Sequence, residues 1–464
     1  MNDTASDTAS DTAGNPDRHR VPVPFEGPGA GVEALTWAQH DLYAGMVRQQ
    51  SWLPLGGTKE LTPDVTVEQI VAELSYLVGR HQSLRTRLRF EADGTNRQVV
   101  SGSGATWLEV IDAGDREPAE VAEAVERRYR DTDFDFENDW PMRMAVIRSH
   151  GVLTHQVTIL SHLAVDAFGG AVMVTDALTR SGAPVTGMQG LELARWQQSP
   201  ASQRQHRASM RHWEKGLRSL PVADRTASAA RREPRYWKGM TRSPATFLAL
   251  RTILARTGAD SGHVLLALWA MAYGRHMSRH PVALKMLVNN RFRRDLADVV
   301  APVTQSGLFV VDVDGLPFPD ALDRVRRAVM LTLKHTFFDP RGLIELEATV
   351  AAERGPVLDT MCYFNDRRVT HREIPAGPVP TAAQIRAALP ATTQHLIGGQ
   401  DTPLEAVFLH IEDEPDVITT MFEMDTHCMS VEDMQACMLG MEAIAVEAAC
   451  ATEIEPAPAE SVLA

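Results

Sequence analysis

Segments with the apolar periods of strands and of helices alternate along nearly the whole chain. An apolar strand pattern over 152–161 stops at Ser161-His162, and "AFGGAVMVTDALTR" follows with helical spacing. Similar switches recur in two comparable halves that meet near residues 215–240. Alternating strands and helices are typical of α/β folds, and 464 residues are too many for one ordinary core. The sequence therefore predicts an α/β protein with two lobes.

Composition sets the expected limits of these lobes. The first twenty residues repeat Ser-Asp-Thr-Ala and are too polar to form a core, so we expect a disordered tail over 1–24. The first lobe is predicted over 25–220 and the second over 221–452. The polar end of the chain predicts a flexible tail over 453–464.

Charge and cysteine content exclude several classes of protein. The net charge of −14 disfavours nucleic acid as a partner. Four cysteines without a CxxC pair indicate reduced thiols in the cytoplasm. The sequence shows no signal peptide, no membrane span and no metal-ligand spacing. His427 and Cys428 are adjacent, but nothing indicates the electropositive site of a catalytic pair.

The connection between the predicted strand and helix carries a histidine and an aspartate. A neutral imidazole at His162 can take a proton from an attacking hydroxyl or amine. Asp166 can orient that ring or brace the loop through an arginine, and a helix starting near Ala167 would direct backbone N–H groups to the same place. These groups suit acyl transfer by direct attack. A satisfied structural histidine is the alternative.

A longer series of motifs surrounds this connection. The chain resembles a condensation domain of nonribosomal peptide synthesis, in the chloramphenicol-acetyltransferase-like acyltransferase superfamily. The likeness runs from about residue 30 to 450 and follows the family order. It rests on "LTWAQHDLY", "GRHQSLRTRLR", "FDFENDWPMRMAVIR", "SHLAVDA", "LARWQQSP", "HWEKGLRSLP", "NNRFRRDL", "SGLFVVDVD" and "KHTFFDP".

The resemblance implies two chloramphenicol-acetyltransferase-like lobes in a V-shaped pseudo-dimer, with a substrate tunnel. It makes His162 the catalytic histidine and Asp166 a structural residue paired with an arginine, either Arg291 or Arg85. Within this resemblance, further residues are candidates for lining the tunnel. They are Gly169, Gly170, Gly307 and Asn365.

Three positions depart from the family pattern. Ser161 stands where the family has its first motif histidine, and Val311 stands where a strand carries an asparagine. Ala167 replaces the motif glycine, so its Cβ would be costly if the backbone required positive φ.

The resemblance implies a free-standing acyltransferase of natural-product and antibiotic biosynthesis. It would form an amide or ester between a phosphopantetheine-tethered thioester on an acyl or peptidyl carrier protein and a small-molecule acceptor. It implies no bound cofactor. Two alternatives stay open: a catalytically silent domain that recruits a partner enzyme, and an acyltransferase that uses acyl-CoA on a free small molecule.

The chain also has a strongly basic segment between Arg204 and Arg242. A solvated helix face followed by a linker is the favoured interpretation. The alternative is a surface that docks an acidic carrier protein or a phosphopantetheine phosphate. The basic residues are Arg204, Arg207, Arg211, Lys215, Arg218, Arg225, Arg231, Arg232, Arg235, Lys238 and Arg242.

Overall fold

The computed structural model describes residues 18–221, 230–355, 362–374 and 377–451. The chain divides into two compact units. Unit 1 comprises Met1–Val47, Ser51–Ser199 and Arg291–Val303, and unit 2 comprises Arg48–Gln50, Pro200–Asn290 and Thr304–Ala464. The first-to-second boundary thus falls at residue 199 rather than 220. A short later segment also returns to unit 1, because Arg291 and its neighbours pack there.

Unit 1 contains a five-stranded sheet of order β1-β6-β7-β8-β3 and a three-stranded sheet of order β2-β5-β4. In the larger sheet, β6 and β7 run parallel and the other neighbours run antiparallel. The strands are β1 (Arg18–Glu26), β2 (Gly31–Ala34), β3 (Pro54–Glu60), β4 (Thr86–Phe90), β5 (Asn96–Val100), β6 (Ser103–Asp112), β7 (Met142–Ser149) and β8 (Val152–Ser161).

Helices of unit 1 cover its sheets with apolar faces. Helix α2 opens with a capping box at Thr66 and buries Leu74 and Val78 in a core shared with Val23 and Leu108. Amphipathic spacing therefore places α2 against the larger sheet. The helices are α1 (Trp37–Gln49), α2 (Val67–Arg80), α3 (Pro118–Asp131), α4 (Ala167–Thr179) and α5 (Gly190–Gln197).

Strand β1 corrects the expected disordered tail. Residues 18–24 belong to this strand, which pairs antiparallel with β6. Val23 and Phe25 point into the core, while Pro22 and Pro24 alternate with them on the exposed side. Proline is tolerated there because β1 is an edge strand. The rest of the predicted tail, and the tail over 453–464, lie outside the described residues.

Unit 2 contains a mixed seven-stranded sheet of order β11-β10-β12-β14-β15-β9-β13. Its strands are β9 (Tyr236–Ser243), β10 (Val282–Val288), β11 (Gln305–Val311), β12 (Cys362–Asp366), β13 (Thr393–Gln400), β14 (Val407–Ile411) and β15 (Ile418–Asp425). Its helices are α6 (Pro200–Ser219), α7 (Pro244–Thr257), α8 (Ser261–Met277), α9 (Phe318–Lys334), α10 (Pro340–Arg354), α11 (Ala382–Ala388) and α12 (Val431–Cys450).

The largest core of unit 2 forms around α8. This helix is apolar on nearly every side, and its residues from Val264 to Gly274 are all buried. Such a helix needs covering on all faces, and α9 and α12 supply neighbours from the same core. Both units thus combine sheets with covering helices, which confirms the predicted α/β class.

Candidate active site

The His162 turn lies where β8 ends and α4 begins, as the sequence predicted. Strand β8 pairs with β7 on one side and β3 on the other, so its end is held within the sheet. The turn is closed by the Ala164 amide, which donates to the Ser161 carbonyl at 2.9 Å. Asp166 then caps α4 by accepting from the Gly169 amide at 2.8 Å. A half-buried His162 is therefore presented on a short, doubly anchored turn.

A backbone carbonyl selects the tautomer of His162. The Nδ1 atom lies 2.9 Å from the carbonyl oxygen of Val165. Because a carbonyl only accepts, we assign the proton to Nδ1. In the neutral ring the basic lone pair is then on Nε2. The local turn thus orients the ring through a backbone carbonyl.

Asp166 pairs with Arg291. The two side chains form a bidentate ion pair, with Nη1–Oδ2 and Nη2–Oδ1 distances of 2.9 Å. The Val303 amide also donates to Oδ2 at 3.1 Å. Arg291 donates in turn to the carbonyls of Val299 and Ala301, each at 3.0 Å. The pair therefore joins the start of α4 to the 291–303 segment of unit 1.

The carboxylate of Asp166 is charged although it is only 3% exposed. Burial alone would raise its pKa, but the charge and hydrogen bonds of Arg291 outweigh that effect. Hydrogen bonds from the Gly169 and Val303 amides add to the lowering, so the pKa of Asp166 lies below its usual range. The arrangement suits a structural ion pair.

Arg85, the alternative partner for Asp166, forms its hydrogen bonds with other residues. Its guanidinium donates to the carbonyls of Ser101 and Pro28, and the side chain is fully buried. It therefore ties the start of β4 to neighbouring loops. The structure corrects this alternative, and Arg291 is the arginine that contacts Asp166.

Ser161 is buried and lines a small cavity behind the turn. Its Oγ accepts from the Leu163 amide at 3.3 Å. The cavity measures about 20 Å³, roughly the space of one water, and also exposes polar groups of Gln39, Ser83 and Thr86. The short serine side chain thus leaves room where the family pattern has an imidazole.

Ala167 does not carry the expected strain. It is the first residue of α4 and is absent from the described non-glycine residues with positive φ. A residue with helical φ tolerates a Cβ, so alanine is acceptable there. The replacement of the motif glycine therefore leaves the backbone of the turn unstrained.

The two predicted tunnel glycines of α4 differ in their surroundings. A Cβ on Gly169 would lie 3.1 Å from Arg291 Nη2, 3.1 Å from Asp166 Oδ1 and 3.2 Å from a Val165 methyl group. A Cβ on Gly170 would meet nothing within 4 Å. Gly169 thus lets the ion pair approach the helix closely. The proposed tunnel role of both glycines stays a prediction.

The other two predicted tunnel residues lie in unit 2. A Cβ on Gly307 would approach methyl groups of Thr332 and Thr336 to 2.6 and 2.4 Å, so glycine is needed for packing there. Asn365 Nδ2 lies 3.4 Å from His410 Nδ1, and Arg367 Nη2 lies 3.2 Å from His410 Nε2. Because Arg367 only donates, His410 Nε2 is the acceptor of that contact. The tunnel role of Gly307 and Asn365 stays a prediction.

Several contributors to the site could not be found in the sequence. They are backbone groups: the carbonyls of Val165, Val299 and Ala301 and the amide of Val303. Any residue type supplies such groups, so no composition signal marks them. Within the described ranges, no cluster of three or more metal-ligating side chains occurs.

Comparison with known proteins places this geometry in a family. The model of the Condensation domain family matches residues 48–380. The chain belongs to the condensation domain family. Among curated proteins, it is 22% identical over 339 residues to one of the plipastatin synthase subunits of Bacillus subtilis (strain 168). That match covers 70% of this chain but only 13% of the length of the synthase protein.

Solved structures of the same fold span different roles. One, described for condensation domain-mediated chain release from the enacyloxin polyketide synthase, has a TM-score of 0.67 and 18% identity. The match covers 95% of this chain and 86% of the chain in that structure. The X-domain from teicoplanin biosynthesis has a TM-score of 0.66 and 16% identity. That match covers 91% of this chain and 96% of the X-domain chain. These similarities show the condensation-domain fold. Among the described residues, no helix has the length and apolar character needed to cross a bilayer.

Proposed function

We propose that this condensation domain is an acyltransferase of natural-product biosynthesis. Its donor is an acyl or aminoacyl thioester tethered through phosphopantetheine to a carrier protein. Its acceptor is the amine or alcohol of a small molecule, and the product is an amide or an ester. We also propose a cytoplasmic location, which is supported by four cysteines that are all free thiols.

The tautomer of His162 supports this proposal most directly. With the proton held on Nδ1 by the Val165 carbonyl, Nε2 can accept a proton from the attacking amine or hydroxyl. The nucleophile adds to the thioester carbonyl, and a tetrahedral intermediate forms. The C–S bond then breaks as His162 returns the proton to the departing sulfur. The acyl group is thus transferred, a thiol is released and the histidine is regenerated.

Asp166 and Arg291 act in this proposal as positioning residues. Their bidentate pair fixes the start of α4, and that helix follows His162 after four residues. The N-terminal end of a helix carries partial positive charge, which favours the oxyanion of the intermediate. The carboxylate need not contact the reacting atoms to serve this purpose.

Replacing His162 by asparagine tests the proposal. Asparagine can still donate to the Val165 carbonyl, so the turn is preserved, but it has no basic nitrogen. We expect turnover of a carrier-bound donor to fall by about 10²- to 10⁴-fold. His155→Asn is the matched control, because His155 is half-buried on the same β8 strand and should leave turnover unchanged.

The measurement is product formation in single-turnover assays, with circular dichroism as the check on folding. Unchanged turnover in His162→Asn would exclude the proton-transfer role. Parallel assays with a carrier-bound donor and with the corresponding coenzyme A thioester identify the donor. Efficient use of coenzyme A alone would replace the carrier in the proposal by a free acyl donor.

A second candidate function is a catalytically silent domain that recruits a partner enzyme. Ser161 favours it, because the first motif histidine is replaced and a cavity adjoins the serine. A complex of the teicoplanin X-domain with OxyB gives a structural precedent for partner recruitment on this fold. Stable binding of a partner enzyme, without turnover of any donor by the wild-type chain, would select this function.

A further inference from the structure

Helix α6 carries a row of exposed cations in unit 2. Consecutive members are three or four residues apart, so they lie on one face of the helix. We call the first four of them the α6 cation stripe. The row consists of Arg204, Arg207, Arg211, Lys215 and Arg218.

Most of the second half of the same basic segment is neutralised. On and before β9, four cations each pair with an acidic residue of unit 2. Of the remaining members of the segment, Arg225 lies outside the described residues, and the exposed Arg231 forms no ion pair with a described residue. The four pairs are Arg232–Glu432, Arg235–Asp425, Lys238–Glu423 and Arg242–Glu414.

Among the described residues, the α6 cation stripe has no such compensation. Arg218, just beyond it, pairs with Glu214 at 3.1 Å and with Glu353 at 2.5 Å. The four residues of the stripe form no ion pair with any residue that the structure describes. A row of uncompensated cations is unexpected on a protein with a net charge of −14. The stripe therefore projects a local positive field against the overall charge.

Two histidines lie beside the stripe. His335 follows α9, and its ring stacks on that of His212 with centroids 4.4 Å apart. Burial, His212, Lys334 and Arg211 together lower the pKa of His335 to about 4. Burial lowers the pKa of His212 as well, with a contribution from Lys215. Burial is the largest cause for both rings, and cations of α6 add to it.

The surface beside the stripe is also partly apolar. The Gln205 side chain on α6 donates to the Lys334 carbonyl at 3.0 Å, so the end of α9 adjoins α6. There Leu331 is 52% exposed and Met330 is 64% exposed. Large exposed apolar groups beside charges are typical of protein interfaces rather than of sites for small anions.

We propose that the α6 cation stripe docks an acidic helix of a partner protein. Lys215 lies eleven positions after Arg204, a distance of about 16 Å along the helix axis. That length exceeds the reach of one phosphate group but matches acidic side chains repeating along a second helix. The opposite face of α6 buries Trp213 and Leu217, so no apolar face remains for inserting into a bilayer. This inference is independent of catalysis by His162.

The test uses the full chain and a synthetic helical peptide. Its glutamates are spaced alternately three and four residues apart, so that they lie on one face of the helix. The stripe variant combines Arg204→Glu, Arg207→Glu, Arg211→Glu and Lys215→Glu. The control variant makes the same change of charge at exposed residues of other elements, with three arginines and one lysine as in the stripe. Its substitutions are Lys59→Glu, Arg97→Glu, Arg275→Glu and Arg386→Glu.

Fluorescence anisotropy at low salt should show wild type and control variant binding the labelled peptide similarly. The stripe variant should bind at least about tenfold more weakly, and physiological salt should weaken the wild-type complex. Equal binding by the stripe variant would overturn the proposal. Equal binding of a peptide with glutamine at every glutamate would do the same, because the contact would not depend on charge.

Two further probes separate the partner classes. Inorganic phosphate and chloride are compared as competitors at matched ionic strength. If phosphate displaces the peptide at a far lower ionic strength than chloride does, the proposal is overturned and the stripe is a phosphate site. Stripe-dependent binding to vesicles containing phosphatidylglycerol, without peptide binding, would identify a membrane surface instead. Weak, non-specific effects of both probes beside tight peptide binding would support protein docking.

Discussion

Two helices of this protein begin with the same capping device in different surroundings. Asp166 caps α4 in unit 1, and Asp260 caps α8 in unit 2 by accepting from two backbone amides. Both carboxylates pair with an arginine, Asp166 with Arg291 and Asp260 with Arg372. The first pair is 3% and 9% exposed by side chain, whereas the second is 41% and 38% exposed.

The difference separates a local role from a tertiary one. An exposed cap of this kind stabilises mainly its own helix, and its ion pair is weakened by solvent. A buried carboxylate without its cation would leave an uncompensated charge in the interior. The Asp166 pair should therefore control the whole His162 turn, while the Asp260 pair, whose Arg372 also contacts Asp366 at 3.1 Å, should matter mainly to the start of α8.

Removing the buried cation gives the largest expected effect. We expect Arg291→Met to lower the free energy of unfolding by about 3–5 kcal/mol, because it leaves the buried Asp166 carboxylate without its cation. Arg372→Met should cost only about 1 kcal/mol, because its second partner, Asp366, keeps the ion pair with Arg368. Urea unfolding followed by circular dichroism measures both. Similar losses for the two variants would remove the distinction between the pairs.

Neutralising the two capping aspartates should give a smaller difference in stability between the two variants. Asp166→Asn retains an N-cap side chain but loses the charge opposite Arg291, so we expect about 1–3 kcal/mol of destabilisation. Asp260→Asn should change stability by a few tenths of a kcal/mol. Thermal unfolding of the two variants makes the comparison. An Asp166→Asn protein that is fully stable but inactive would contradict its structural assignment.

Adjacent glycines of α4 test how closely the buried pair is packed. Gly169→Ala forces a Cβ against Arg291 and Asp166, whereas Gly170→Ala enters open space. Alanine should therefore stabilise the helix at residue 170 by up to about 1 kcal/mol. We expect Gly169→Ala to be about 1–2 kcal/mol less stable than Gly170→Ala. Equal unfolding midpoints would show that the ion pair moves away without cost.

Changing the pH between 7 and about 5 should have the smallest effect on stability. Because the pKa of Asp166 is lowered on folding, its carboxylate stabilises the protein fully above the unfolded pKa of about 3.9. That contribution is lost as pH falls through the lower folded value. The stability difference between wild type and Asp166→Asn should stay constant from pH 7 to about 5 and narrow below about pH 4. Narrowing near neutral pH would indicate another group.

The local part of the site was accessible from the sequence. The end of β8 at Ser161, the start of α4 at Ala167 and the placing of His162 between them follow from apolar periods and helix-start signals. The capping role of Asp166 belongs to the same short-range chemistry. These features depend on neighbours within a few residues, which a single sequence records directly.

Longer-range features were not accessible in the same way. Arg291 lies 125 residues from Asp166, and Arg85 carried an equally suitable side chain. Strand β1 was missed because prolines alternate with its buried residues, a pattern tolerated only at a sheet edge. The contrast between the α6 cation stripe and the paired cations near β9 depends on which acids the fold brings close.

The return of residues 291–303 to unit 1 constrains how this protein can be divided. The chain completes most of unit 1 by residue 199, builds part of unit 2 and then contributes Arg291 to unit 1. A fragment that ends at residue 220 would contain His162 and Asp166 without that arginine. Recombination or truncation between the two units would therefore separate the motif from its support. In recombination between related chains, the two units should therefore be exchanged together, as one segment that includes residues 291–303.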